Sequence, residues 1–191
     1  YEDAGFIHLL TKDLWDGHPC CAFATGESWI QDHPQTFRAL NKSIIEATNY
    51  ASKAENRKEI AAAISGRAFL NQPPEVVEAV LTGKFENGLG QTLDVPDRID
   101  FKPFPWQSFS NWIQSQLVRW DLGKAAAMIK AGDFDRNSAS IFLTTEAQEL
   151  EKSMGLNPPT ETSRTETLAF DTFNPEEPLE YVEEQKKRDG F

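Results

Sequence analysis

The stretch Gly17-His18-Pro19-Cys20-Cys21-Ala22-Phe23-Ala24-Thr25 is the most unusual part of this chain, and the fold is predicted outward from it. It contains both cysteines and one of the three histidines. Its first residues have the composition of a turn, and Pro19 favours extended backbone at His18. The apolar residues 20–24 predict a short strand. Thr25 then predicts the cap of a short helix over residues 26–31.

This strand-to-helix corner is also the candidate binding site. Unpaired amides at a helix N-terminus attract anions, so we expect His18, Cys20, Cys21 and Thr25 to contact a small solute. Two alternatives stay open: the cysteines pack a strand against the core, or they form a metal or redox site with His18. Metal sites usually draw on more ligands, and a disulfide between neighbouring cysteines is strained. We therefore predict no metal and no cofactor.

Length and charge narrow the range of functions. At 191 residues the chain is long enough for one domain with a real core. Its net charge of −11 argues against nucleic acid and anionic membranes as partners, because both require a basic surface. A small anion is compatible with this charge, since local donors hold it. Because the chain opens at Tyr1 in mid-pattern, we expect a fragment or processed piece.

Capping and stop signals predict a mostly helical chain with a few short strands. Residues 6–10 resemble a strand, and Asp32 predicts the N-cap of a long helix reaching about Ser52. Further helices are predicted over 56–65, from Pro73-Pro74 to Gly83, from Trp106 or Gln107 onward, over 124–130, and after Thr145. A hairpin is expected within the Gly- and Pro-rich residues 84–105.

The helix that follows Trp106 carries a heavy apolar stripe. The residues at helical spacing are Phe109, Trp112, Ile113, Gln116, Leu117 and Trp120. Such a stripe is usually core, so Trp112 and Trp120 are predicted to be buried together with Ile113 and Leu117.

The composition shifts at Asn157, where prolines, serines and threonines form a polar connector. This shift predicts a main domain over residues 1–156 and an extended tail over 157–191 that wraps it. Phe170, Phe173, Leu179 and Val182 are the expected anchors of the tail, and Asn174-Pro175 predicts a last short helix.

A series of motifs resembles the second half of the nitrate- and bicarbonate-binding proteins of ABC transporters. The order and spacing of these motifs together are specific, and they extend over nearly all of this chain but about half of such a protein. The motifs are Leu10-Thr11-Lys12-Asp13-Leu14-Trp15, Gly17-His18-Pro19-Cys20-Cys21-Ala22-Phe23, Asp32-His33-Pro34, Glu55-Asn56-Arg57-Lys58-Glu59-Ile60-Ala61, Phe104-Pro105-Trp106-Gln107-Ser108, Trp112, Val118-Arg119-Trp120 and Phe173-Asn174-Pro175-Glu176-Glu177-Pro178.

The resemblance implies an α/β chain, mostly helical, that forms the C-terminal part of a two-lobed, type II periplasmic-binding-protein-like fold. In such proteins the ligand lies between the lobes, and closure signals loading. The implied partners are a small inorganic anion (nitrate, nitrite or bicarbonate), the permease and ATPase subunits, and the missing N-terminal lobe. The implied location is periplasmic or membrane-anchored and extracytoplasmic. Nitrate-binding members place a lysine close to the residue after His-Pro, where this chain has Cys20-Cys21, so the identity of the anion stays open.

Two other function classes are weighed against an importer subunit. A sensor of the same fold would bind the anion without transport, as a cytoplasmic regulator or as a domain fused to the transporter ATPase. Free neighbouring cysteines would suit its reducing compartment. The thiamine-pyrimidine synthases, which are enzymes, resemble this fold and use a cysteine-rich segment with histidine. The chain displays no nucleophile–base pair or phosphate loop, so the prediction is a binding protein rather than an enzyme.

Overall fold

The computed structural model describes residues 5–129 and 133–190, which form two compact units. Unit 1 contains the described residues of Tyr1–Gly17 together with Trp29–Pro103. Unit 2 contains His18–Ser28 together with the described residues of Phe104–Phe191. The predicted boundary between residues 156 and 157 does not coincide with a boundary between the units, since both sides of it lie in unit 2.

The described residues are mostly helical, as predicted. Their helices are α1 (Thr11–Leu14), α2 (Glu27–Asp32), α3 (Pro34–Ala51), α4 (Arg57–Ile64), α5 (Pro74–Thr82), α6 (Gln107–Arg119), α7 (Gly123–Ile129), α8 (Phe134–Ile141), α9 (Thr144–Ser153) and α10 (Pro178–Asp189). Their strands form two antiparallel hairpins, β1 (Lys84–Glu86) with β2 (Thr92–Asp94) and β3 (Glu166–Leu168) with β4 (Asp171–Phe173). None of the described helices is long and apolar enough to cross a membrane.

The segment from α5 to β2 follows its sequence signals closely. Pro74 occupies the first turn of α5, where its missing amide hydrogen costs nothing, and Gly83 ends the helix with φ of 78°. A Cβ atom at position 83 would overlap the carbonyl oxygen of Val95, so only glycine fits here. The hairpin predicted within residues 84–105 is confirmed, with Phe85 opposite Leu93.

The interior of unit 1 is an apolar contact between α4 and α5. Ala61, Val77 and Leu81 are buried there, and the four-residue spacing of the two α5 residues places both on one face of the helix. Partly buried apolar side chains close the cluster: Ile60, Ile64, Ile99 and Phe101. Burial of a side chain as large as leucine stabilises a fold by about 1.5–3 kcal/mol, so this cluster is a principal source of stability in unit 1.

One buried cation, Arg57, lies at the edge of this apolar cluster. Its Nε donates to the carbonyl oxygen of Ala51, at 3.3 Å. Its Nη1 donates to the carbonyls of Leu81, at 3.1 Å, and Pro96, at 2.7 Å, and its Nη2 to that of Ile99, at 3.3 Å. The guanidinium therefore joins the ends of α3 and α5 to the loop after β2, and four of its five donors are engaged.

The interior of unit 2 combines an apolar cluster with a polar network along α6. Val118, Ile129, Phe134 and Val182 form the apolar part. In the polar part, Gln114 donates to the hydroxyl of Ser138, at 2.8 Å, and to the carbonyl of Phe134, at 3.1 Å. Ser138 donates to Asn111, and Asn111 donates to Asp135, at 3.0 Å, and to the carbonyl of Pro175, at 3.2 Å. Each of these buried side chains of the network has a partner, so its desolvation is compensated.

The predicted orientation of α6 is wrong for Ile113 and Trp120, which are 40% and 49% exposed. Of the other stripe residues, Phe109 is buried, and Trp112 and Leu117 are half-buried. Ser108, Asn111 and Ser115 are fully buried, and at 100° per residue they lie on the helix face opposite Ile113 and Trp120. Small side chains allow the close approach of α8, and their hydrogen bonds make that contact favourable without apolar residues.

The two strands predicted near the N-terminus are also absent from the described structure. Residues 6–10 and 20–24 have no regular secondary structure. Neither of the two hairpins of the described chain includes them as a strand. A backbone hydrogen bond from the amide of Ile7 to the carbonyl of Asn87, at 2.8 Å, joins the first of these segments to the loop of the β1–β2 hairpin. Asp32 ends α2 instead of capping α3, whose N-cap is His33.

Helix α8 and the strands β3 and β4 were not predicted from the sequence. The last helix was predicted, but α10 runs for 12 residues where a short helix was expected. Helix α3 follows its predicted length, but only Ile45 and Ala51 are buried along it, so most of its predicted stripe lies at or near the surface.

Candidate functional site

The predicted corner is an irregular, largely exposed segment. Residues 18–26 have no regular secondary structure, and every side chain from Cys20 to Ser28 is exposed. His18 is half-buried. The segment ends at α2, which is only six residues long. The predicted site residues therefore lie together along the chain, on a segment whose backbone amides are not used by a helix or sheet.

The two cysteines of the corner contact each other through their sulfur atoms. Their sulfur atoms lie 3.9 Å apart, with the thiol of Cys21 donating to Cys20, and both thiols are free and exposed. The hydrogen bond with Cys21 and the nearby Cys21 charge raise the pKa of Cys20, because both favour its protonated form. The Cys20 thiol is therefore a weak donor at neutral pH rather than an anionic nucleophile.

The electrostatics of the corner differ from those of the rest of the chain. Residues 18–26 include no aspartate or glutamate, although the whole chain has 30 acidic residues. The nearest acids in sequence are Asp16 and Glu27, on either side. The donor groups of this segment are backbone amides, the imidazole of His18, two thiols and the hydroxyl of Thr25. Such a set suits a small anion better than a cation.

The alternative of a metal site gains no support from the described residues. Across residues 5–129 and 133–190, no group of three or more His, Cys, Asp or Glu side chains converges in a way that could hold a metal ion. His18 and the two cysteines thus do not form a three-ligand cluster.

A groove of about 400 Å³ lies elsewhere in unit 2, where the N-termini of α8 and α10 meet. Its charged lining residues are Asp133, Asp135, Arg136, Glu176, Glu177 and Glu180. With five carboxylates and one guanidinium, this groove repels a small anion. It is therefore not a competitor for the anion site predicted at the corner.

Two sets of buried polar contacts, those of Arg57 and those of Glu166, were not predicted from the sequence. Arg57 was noted only within a motif, and its polar neighbours Asn56 and Lys58 gave no local signal that its side chain is buried. The second feature pairs Glu166 with Arg164 Nε at 3.0 Å and with the hydroxyl of Ser108 at 2.7 Å. Arg164 also lies over the ring of Trp106, 4.7 Å from its centroid. Both features join distant segments, and the groups they bury already have partners.

The chain is similar to several known proteins and matches one family model in part. The model of the NMT1-like family matches residues 1–65. The nitrate/nitrite binding protein NrtA of Synechocystis sp. is 28% identical over 97% of this chain and 43% of its own length. The bicarbonate-binding protein CmpA of a Synechococcus sp. strain is 28% identical over 97% of this chain and 44% of its own. The chain thus spans less than half the length of these relatives.

A transport ATP-binding protein is similar as well. The nitrate import ATP-binding protein NrtC of Synechocystis sp. is 25% identical over 95% of this chain and 27% of its own length. These matches confirm the resemblance to nitrate- and bicarbonate-binding proteins that was predicted from the motifs.

The fold has a solved counterpart. The crystal structure of the periplasmic nitrate-binding protein NrtA from Synechocystis PCC 6803 superposes with a TM-score of 0.81 at 23% sequence identity. The match covers 91% of this chain and 46% of that one. The predicted fold class, a mostly helical part of a periplasmic-binding-protein-like fold, is therefore confirmed.

Proposed function

We propose that this chain is part of the solute-binding component of an ABC importer for a small anion such as nitrate, nitrite or bicarbonate. The observation that carries this proposal is the similarity along 97% of the chain to proteins named for binding nitrate, nitrite and bicarbonate. The confirmed fold agrees with it, since proteins of this architecture bind solutes and close around them. In this function the chain is not an enzyme.

His18, Cys20, Cys21 and Thr25 are the proposed ligand residues. They lie on a segment without acidic side chains, and the backbone of this segment is free of helix and sheet bonding. The anion would accept hydrogen bonds from amides, imidazole, hydroxyl and thiols. Without a lysine in this neighbourhood, neutral donors supply most of the stabilisation of the anion.

The proposed partners are the permease and ATPase of the importer and the N-terminal lobe of the same protein, in a periplasmic or membrane-anchored, extracytoplasmic location. The exposed stripe of α6, with Ile113 and Trp120, supports a further covering lobe, because an apolar stripe of this size is seldom left in water. The largely exposed α3 supports it too, since isolated helices are marginal in water.

Calorimetry on the full-length protein tests the proposal. Titration with nitrate, nitrite and bicarbonate should give saturable binding of at least one anion. His18→Ala and Thr25→Val should each raise its Kd by about 10- to 100-fold, the effect of losing a hydrogen bond to a charged group. Ser28→Ala, in the same exposed segment, serves as the matched control and should leave the Kd unchanged.

Two outcomes contradict the proposal. If none of the three anions binds to folded full-length protein, the importer function is wrong. If an anion binds but both variants match the control while melting normally, then the function stands and the assignment of the site to this corner is wrong.

A second candidate is an anion-sensing domain linked to a transport ATPase. The similarity to NrtC, over 95% of this chain and 27% of that protein, favours it. The sequence of the complete gene product distinguishes the two candidates, because a nucleotide-binding P-loop on the same polypeptide would support the sensor. An export signal would support the importer subunit instead.

A further inference from the structure

The Cys20–Cys21 pair has properties that the anion site does not require. Both thiols are free and exposed, and their sulfurs lie 3.9 Å apart. The pair lies on a segment without regular secondary structure, so small adjustments of its backbone break no ladder or helix. Two thiols presented side by side in this way form a bidentate ligand.

The geometry favours a bridging atom over a direct bond between the sulfurs. Adjacent Cα atoms are about 3.8 Å apart across a trans peptide, below the roughly 4.4–6.8 Å that disulfides span. A direct bond of about 2.05 Å would therefore be strained. By contrast, two bonds of about 2.3 Å to one atom, meeting at a tetrahedral angle, hold their sulfurs about 3.8 Å apart. The observed separation of 3.9 Å is close to this second value.

We propose that Cys20 and Cys21 form a chelating site for a trivalent arsenical. With an organic arsenous oxide, both sulfurs bond to arsenic while the arsenic–oxygen bond breaks. The two thiol protons leave with that oxygen as one water molecule. The oxidation state of arsenic and of both sulfurs is unchanged, so the reaction requires no oxidant or reductant.

The chemistry of the pair agrees with this ligand class. Thiol sulfur is a soft donor that selects soft acceptors. The contact with Cys21 raises the pKa of Cys20, which disfavours a free thiolate at neutral pH. An arsenous oxide removes the thiol protons as water and does not depend on prior ionisation. A simple cation needs deprotonated sulfur, and the described residues offer it no third ligand.

The test uses full-length protein and phenylarsine oxide as the probe. Trypsin cuts after Lys12 and Arg38, and with no Lys or Arg between them, both cysteines fall in the peptide 13–38. Mass spectrometry should find one phenylarsenic group on this peptide, with two hydrogens lost. A dithiol should release the group, whereas a monothiol at equal thiol concentration should not. Cys20→Ser and Cys21→Ser should each weaken retention by about 10²- to 10⁴-fold, as expected when one of two linked contacts is lost.

A matched variant separates adjacency from thiol number. Cys21→Ser combined with Ser28→Cys keeps two thiols in the exposed segment but places them eight residues apart, and it should behave like the single variants. Retention by either single variant equal to wild type would overturn the proposal. So would the absence of the phenylarsenic group from peptide 13–38 while both of its cysteines remain reduced. The readout is a peptide mass, so it is independent of anion binding and of the function proposed above.

Discussion

The interiors of the two units differ in the kind of side chain that they bury. In unit 1, α4 and α5 meet through Ala61, Val77 and Leu81, and a single buried arginine completes the cluster. In unit 2, the described side chains that are buried are polar about as often as they are apolar. Asn111, Gln114 and Ser138 form a continuous hydrogen-bonded chain at the centre of the α6–α8 contact.

This difference explains which buried helix faces the sequence pattern predicts correctly and which it does not. Apolar residues at helical spacing located the buried face of α5, because the interior they face is apolar. For α6 the same rule located Phe109 correctly but also selected Ile113 and Trp120, which are exposed, because most of the buried residues of this helix are polar. A polar interior produces no periodic pattern of apolar residues in the sequence. It can be recognised only when the hydrogen-bond partners of each polar group are known.

The largest expected effect tests the buried cation of unit 1. Arg57→Met should lower the free energy of unfolding by about 3–5 kcal/mol, because several buried carbonyls lose their donors together. Urea denaturation followed by circular dichroism measures it. Lys58→Met, which changes the exposed neighbouring side chain, is the matched control and should stay within about 0.5 kcal/mol. Equal effects of the two changes would mean that unit 1 does not depend on its buried cation.

The second largest effect is expected for a substitution in the apolar contact of unit 1. Leu81→Ala should cost about 2–4 kcal/mol, the transfer term plus the cavity that remains between α4 and α5. The same denaturation experiment applies, with Leu89→Ala in the exposed hairpin loop as the control. A loss below about 1 kcal/mol would show that the cluster collapses readily around the smaller side chain.

The polar interior of unit 2 should respond less strongly, through a single hydroxyl. Ser138→Ala removes the donor to Asn111 and the acceptor of Gln114, and should cost about 1–3 kcal/mol. Ser140→Ala, on the same helix, removes an exposed hydroxyl that bonds only to the carbonyl of Asn137, at 2.8 Å, in the structure described. It should change stability by less than about 0.5 kcal/mol. If the two variants melt alike, the α6–α8 network contributes no net stability.

The smallest effect is expected on the exposed stripe of α6. Ile113→Ser should change the stability of the 191-residue chain by less than about 0.5 kcal/mol, because the side chain stays largely in water. In the full-length protein the same substitution should be more costly, since we propose that another lobe covers this stripe. Thermal melting of both forms makes the comparison. The same small shift in both would contradict the covering lobe.

The predictable parts of the fold are those whose signals are local. Pro74 and Gly83 delimit α5, and Asn87-Gly88 marks the turn between β1 and β2, because helix ends and tight turns depend on a few neighbouring residues. The strands expected at 6–10 and 20–24 depend on a ladder partner that the described chain does not offer. Helix α8 was missed because Ser138, its innermost residue, is not apolar.

The candidate site also has parts that the sequence predicts and parts that it does not. The neighbouring cysteines and the lack of acidic residues in the corner could be read from the sequence. The contact between the two sulfurs could not, because the predicted strand would place neighbouring side chains on opposite faces. Whether His18 and Thr25 also face the anion depends on parts of the fold far from them in sequence, and it stays a prediction. The role of Arg57 was hidden because its four acceptors come from residues 51–99, which only the folded chain brings together.

The polar interior of unit 2 also has a consequence for its response to temperature. Exposure of apolar surface raises the heat capacity on unfolding, whereas exposure of polar surface lowers it. Polar groups make up a larger share of the buried side chains in unit 2 than in unit 1, so the heat-capacity increment per unit of buried area should be smaller in unit 2. For the same buried area, cooling should then weaken the interior of unit 2 less than it weakens the apolar contact of α4 with α5.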